Sequence, residues 1–168
     1  PEPLAYFLTW TTYGTRLHGD ERGSVDRRSN TPGTPLLPAS RVRAERTRAR
    51  MLASPVVLDD RAREVVALAI HDHAIKRKWH ILALGVRSNH AHVVVDCGGP
   101  GELIEPAKAM QEFKTWATRR LRSAGLFASS TRIWTDHGST RWINSEVGPV
   151  ASRDYVERLQ DGREEWVG

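Results

Sequence analysis

Ser88-Asn89-His90-Ala91-His92-Val93-Val94-Val95-Asp96 decides the reading of this 168-residue chain. The valine run is strongly β-forming, which predicts a strand. Side chains on a strand alternate faces, so His90 and His92 stand on one side while Ala91, Val93 and Val95 point to the other. Two imidazoles side by side, backed by an apolar face, make half of a divalent-metal site. An arbitrary His-x-His pair is more often two partly buried histidines. Here Tyr155, in the helix-like run Ser152-Arg153-Asp154-Tyr155-Val156-Glu157-Arg158-Leu159-Gln160, adds a candidate nucleophile.

Upstream of the pair, Trp79 to Arg87 predicts a strand, and Ser88-Asn89 a tight turn that returns the His strand antiparallel beside it. Before that, Asp59 to Lys78 carries apolar residues at helical spacing: Ala62, Val65, Val66, Ala69, Ile70 and Ala74. His71 and His73 lie within this helix, about 200° apart around its axis. They cannot share one ion and read as surface or core-edge histidines. The chain opens with a strand, Ala5 to Tyr13, stopped by Gly14. A long stretch rich in Gly, Pro and Arg follows, and then a short basic helix from Arg41 to Arg50 that Ser40 can cap.

Downstream, Gly98-Gly99-Pro100-Gly101 break the chain. A helix from Leu103 or Pro106 to Ser123 turns Ala109, Met110, Phe113, Trp116, Ala117 and Leu121 inward, with Lys108, Lys114, Arg119, Arg120 and Arg122 on its outer surfaces. Short strands are predicted at Arg132–Trp134 and Thr140–Asn144, and a last helix from Val150 to Leu159. The order fits an α+β fold: a ferredoxin-like antiparallel sheet with helices on one face and the histidines on the other, open face. The length suits a single domain spanning 1–168, with 14–54 as a basic loop and short-helix insertion.

Composition limits the partners. The chain has 25 Lys+Arg against 20 Asp+Glu, a net charge of +5, and the arginine bias suits phosphate and base stacking. Cys97 is the only cysteine, so no disulfide within the chain and no cysteine-based zinc site can form, and a reducing cytoplasm is expected. No apolar run approaches membrane-spanning length and no signal peptide is evident. Arg16, Arg22, Arg27 and Arg28, followed by Arg41 to Arg50, form the best basic cluster for DNA contact; the alternative is a solvated segment. Lys114 could approach a phosphate. Trp10, Trp79, Trp116 and Trp134 read as core. Trp142, beside Arg141, could stack on an unpaired base, though a core position is the commoner outcome.

The block Ser88 to Val95 resembles the histidine–hydrophobic–histidine (HUH) motif of single-tyrosine transposases, and in particular the REP-associated tyrosine transposases and their insertion-sequence relatives. Phe7 to Gly14 with Leu17-His18-Gly19-Asp20 resembles the family's first strand and loop. Met110 to Lys114 resembles its second long helix, Trp134 to Trp142 its late strand pair, and Tyr155 falls where the nucleophile helix is expected. The resemblance implies an enzyme: a metal-dependent endonuclease and strand transferase for single-stranded DNA. It implies Mg²⁺ or Mn²⁺ on His90 and His92, Tyr155 as nucleophile, a 5′-phosphotyrosine intermediate, and DNA hairpins as targets of a monomer or homodimer.

One departure matters. Relatives place a polar ligand one helical turn after the tyrosine, where this chain has Leu159. Gln160 is next, about 140° away from Tyr155 on a regular helix. It can be the third metal ligand only if the helix ends or bulges there; otherwise water replaces it or catalysis is impaired. Asp96 is about 20 Å from His90 and about 13 Å from His92 along the strand, which makes it an unlikely direct ligand. Two other readings therefore stay open: a catalytically weakened DNA or RNA hairpin-binding protein of the same fold, and a His-metal phosphoesterase that does not use the tyrosine.

Overall fold

A computed structural model describes residues 5–15, 38–51, 53–98 and 104–143. Three helices and four strands follow in the order β1 (Ala5–Thr11), α1 (Arg41–Ala49), α2 (Asp60–Arg77), β2 (His80–Val86), β3 (His90–Asp96), α3 (Pro106–Ser123) and β4 (Ser139–Ile143). The strands form one antiparallel sheet in the order β2-β3-β1-β4, the ferredoxin-like arrangement expected. The last helix of the sequence reading lies outside the described residues.

Local chemistry sets the boundaries. Asp59 caps α2 by accepting the Ala62 N–H at 2.7 Å, and Lys78 ends it in the left-handed conformation, φ 58°. Pro106 starts α3, where its missing N–H costs nothing. Gly14 turns the chain after β1 at φ 74° and is packed so closely by Met51 and Pro55 that a Cβ would collide.

The main core lies between one sheet face and the α2–α3 layer. Tyr6, Leu8 and Trp10 of β1 and Ala91, Val93 and Val95 of β3 meet Val66 and Ile70 of α2 and Phe113 and Leu121 of α3. Trp10 stacks on Phe113 and meets Trp134 edge-on. The opposite face carries a smaller apolar cluster of Ala5, Val94 and Ile143, with Phe7 and Ala83 against it. This face is therefore less open than the sequence suggests. His92 itself is only 9% exposed.

Several expectations are corrected. Only Trp134, of the strand expected at 132–134, pairs, as an isolated bridge to Thr12. His73 is buried rather than superficial: its Nε2 meets Glu112 Oε2 at 2.8 Å and its ring lies against Trp116, Trp79 and Phe113. Trp116 is half-buried, with the Lys76 ammonium and the Arg119 guanidinium over its ring. Trp142 is 61% exposed on edge strand β4, not core.

Lys114 departs most. Expected on the outer surface of α3, it is 3% exposed, because positions 110, 113, 114, 117 and 121 share one helical stripe. Its ammonium donates to the carbonyls of Thr135 (2.8 Å), His137 (3.1 Å) and Asp136 (3.4 Å). Burial pushes this amine down to about 8, against the opposing pull of the Asp136 carboxylate. The lysine thus braces the loop before β4. Gly138 in that loop passes so close to the Thr9 carbonyl and the Met110 sulfur that no Cβ fits.

Lys114→Met keeps the stem but strands these carbonyls, and should lower the unfolding free energy by about 1–3 kcal/mol in urea titration. An unchanged midpoint would show that the amine does not brace the loop.

Candidate metal and nucleic-acid site

β3 is hydrogen-bonded on both sides, and its register fixes which residues neighbour the histidines. His92 pairs with Thr9 of β1 and Gly85 of β2; His90 pairs with Thr11. The two imidazole centroids lie 4.5 Å apart, with the rings inclined at 72°. The alternation expected from the sequence is observed, and it places the rings together on the face away from α2 and α3.

Each ring is held through Nδ1. Asn89 Oδ1 lies 2.6 Å from His90 Nδ1; an amide oxygen only accepts, so this contact puts the proton on Nδ1 and the lone pair on Nε2. Thr9 Oγ1 lies 2.8 Å from His92 Nδ1, and the hydroxyl can accept in the same way. Phe7 stacks against the His92 ring at 5.8 Å. Asn89 is positioned in turn by the Thr12 N–H, which donates to its carbonyl at 2.8 Å.

His92 is held far below the usual histidine range, at about 3. Burial is the main cause, and the neighbouring His90 and Arg87 add to it. It is therefore neutral at physiological pH, the protonation state a metal ligand needs. Two adjacent, oriented imidazoles, with His92 neutral, fit a borderline divalent ion as a partial ligand set. Among the described residues no His, Cys, Asp or Glu joins them to make a set of three. Asp96, on the same face, instead meets His80 at 3.8 Å and accepts the Gly98 N–H.

Arg141 pairs across the sheet with Phe7 and so stands on the histidine face, one strand beyond the Phe7–His92 stack. Trp142 pairs with Tyr6 and belongs to the other face, exposed at the sheet edge. The two neighbours therefore cannot act on one point of a ligand, which the strand period makes legible in retrospect. Tyr155, Gln160, Arg16, Arg22, Arg27 and Arg28 lie outside the described residues. The sequence reading missed Thr9, Phe7 and Asn89 as the groups that orient the rings. Thr9 and Phe7 depend on cross-strand register, but Asn89 is adjacent to His90 and its side chain was available as a signal.

No protein-family model and no curated protein matches the sequence. Solved structures do match. A candidate transposase from Deinococcus radiodurans R1 aligns at TM-score 0.51 and 17% identity, covering 94% of this chain and 92% of its own. A REP-associated tyrosine transposase, solved bound to a REP hairpin, aligns at TM-score 0.50 and 15% identity over 96% of this chain and 70% of its own. At these identities the likeness is one of fold: this chain has the fold of the HUH tyrosine transposases. No helix among the described residues is long and apolar enough to cross a membrane.

A histidine whose folded-state value is depressed binds its proton more readily when unfolded. The stability from neutral, buried His92 is thus present in full above pH 6.5 and fades as pH falls toward about 3. In EDTA, the unfolding free energy of the wild type should decline across that window, and His92→Gln should flatten the decline. Parallel pH profiles for the two proteins would contradict the burial argument.

Proposed function

We propose that this chain is a transposase-like enzyme of the HUH single-tyrosine class, a metal-dependent endonuclease and strand transferase that acts on single-stranded DNA at hairpins. The observation that carries the proposal is the oriented pair His90–His92, set on one face of a ferredoxin-like sheet with His92 held neutral. The fold likeness to a tyrosine transposase solved on a REP hairpin supports it.

His90 and His92 would hold Mn²⁺ or Mg²⁺ through Nε2, with Gln160 as third ligand, and the ion would act as a Lewis acid on the scissile phosphate. Imidazole favours Mn²⁺ over Mg²⁺. Asn89 keeps His90 in the ligating tautomer, and the Thr9 hydroxyl, by accepting from Nδ1, can do the same for His92. Arg141, on the same face, offers a guanidinium to a phosphate, and exposed Trp142 offers a ring to an unpaired base beyond the sheet edge. Arg16, Arg22, Arg27 and Arg28 would add charge along the strand. Lys114, whose ammonium is committed to three carbonyls, contributes by bracing the loop that leads to β4.

Tyr155 attacks phosphorus through its phenolic oxygen. The new P–O bond forms as the P–O3′ bond breaks; the phenol gives up its proton to solvent and the departing 3′ oxygen takes one up. The strand on the 3′ side of the cut stays linked to the tyrosine through its 5′ phosphate, which conserves the phosphodiester for rejoining without ATP. The reaction needs a neutral His92, a state the folded protein keeps until the pH falls toward about 3.

End-labelled hairpin oligonucleotides incubated with Mn²⁺ and run on a denaturing gel test the reading. An SDS-resistant labelled adduct should form with the wild type and be absent from Tyr155→Phe and His92→Ala. Cleavage that survives Tyr155→Phe but not His92→Ala would replace this reading with metal-dependent hydrolysis. Binding without cleavage by the wild type would replace it with a hairpin-binding protein.

A further inference from the structure

Helix α1 is anomalous in a folded domain because it has no buried residue. Helices normally owe their stability to one apolar face against a core. In α1 the arginines Arg41, Arg43, Arg46 and Arg48, with Arg50 as C-cap, are all exposed, and Glu45 is the only acid. Among the described residues none of these arginines has a carboxylate partner; the nearest local bonds are the Ser40 cap and Thr47 Oγ1 donating to the Arg43 carbonyl. The surface is charged and exposed, and among the described residues no carboxylate meets it.

Its arrangement is directional. Positions 43, 46 and 50 fall within about 60° of one another on a helix and span about 10 Å of its axis. Arg50 keeps helical dihedrals, φ −91° and ψ −4°, so the stripe is continuous. The helix is also tethered to one place. Met51, the next residue, packs on Gly14 together with Pro55. Tyr13 beside it accepts the Val56 N–H, and Thr12 donates to the carbonyl of Asn89, whose side chain holds His90. The C-terminal end of α1 therefore joins the sheet at the end of β3 where the histidines begin.

We infer that the Arg43–Arg46–Arg50 stripe of α1 is a docking surface for the sugar–phosphate backbone of DNA, gripping it independently of base sequence and leading it to the histidine end of the sheet. The partner follows from charge complementarity: a narrow row of guanidiniums, with Val42 the only large apolar neighbour and Glu45 the only acid on the helix, suits a linear array of phosphates better than a protein groove. The destination rests on the proposed DNA chemistry at His90 and His92; the docking itself does not.

Each phosphate neutralised releases counterions, so the slope of log affinity against log salt counts the contacts. Fluorescence anisotropy with a labelled hairpin of arbitrary sequence, from low to moderate salt, should show that replacing Arg43, Arg46 and Arg50 together by Gln reduces that slope by about 2–3 and weakens binding at every salt concentration. Gln retains helix propensity, and circular dichroism checks that the fold is kept. A control with Arg61, Lys78 and Lys108 replaced by Gln loses the same net charge from exposed positions elsewhere and should keep the wild-type slope. Equal slopes for the wild type and the α1 variant, or equal loss in the control, would overturn the inference. So would displacement of α1-dependent DNA by an acidic peptide as readily as by heparin. A wild type that shows the α1-dependent slope but makes no tyrosine adduct would sink the nuclease reading while leaving the docking surface standing.

Discussion

The period-two alternation of β3, locked between β1 and β2, is the constraint on which the rest depends. Ala91, Val93 and Val95 are buried against the helix layer, and that burial fixes the faces of His90 and His92. A one-residue slip would drive both imidazoles into the core and expose the valines, so the apolar side specifies the position of the chemistry. Pairing on both edges makes the strand rigid, and the same register delivers Thr9 and Thr11 beside the rings. The site is a by-product of a well-packed core, built on a strand rather than a loop.

Burial shapes the electrostatics on each side of the sheet differently. His92 is neutral because it is desolvated and has cationic or titratable neighbours, and a hydroxyl satisfies the nitrogen that would otherwise be stranded. Lys114 is buried as an ammonium with three carbonyl acceptors, the number its N–H groups can serve. One buried group keeps an uncharged ring on the sheet face, whereas the other closes a loop over Thr11 through Thr135, which bonds both the Thr11 hydroxyl and carbonyl. The loop and the histidines thus meet at one end of the sheet.

Much of this was legible in the sequence because it depends on local periodicity. The Asp59 cap, the α2 stripe, the Ser88-Asn89 turn and the faces of β3 need only neighbours within one or two turns. The identity of a charged residue obscured the rest. Lys114 lies at an apolar position of α3, yet its charge argued for the surface. His73 occupies the buried stripe of α2, but its burial depends on Glu112, distant in sequence. Trp142 has the composition of a core residue and lies exposed because β4 is an edge strand. The clamp on His92 was invisible because Thr9 is 83 residues away. Tyr155 and Gln160, which the site reading needs, rest on the sequence alone.

The central claim is that His90 and His92 together ligate a divalent ion, and Mn²⁺ electron spin-echo spectroscopy on the full chain tests it most directly. The account predicts a single bound ion with nitrogen couplings from two imidazoles, with binding sharply weakened in His90→Ala and in His92→Ala. A bound ion without imidazole nitrogen coupling, or unchanged binding in both variants, would contradict it.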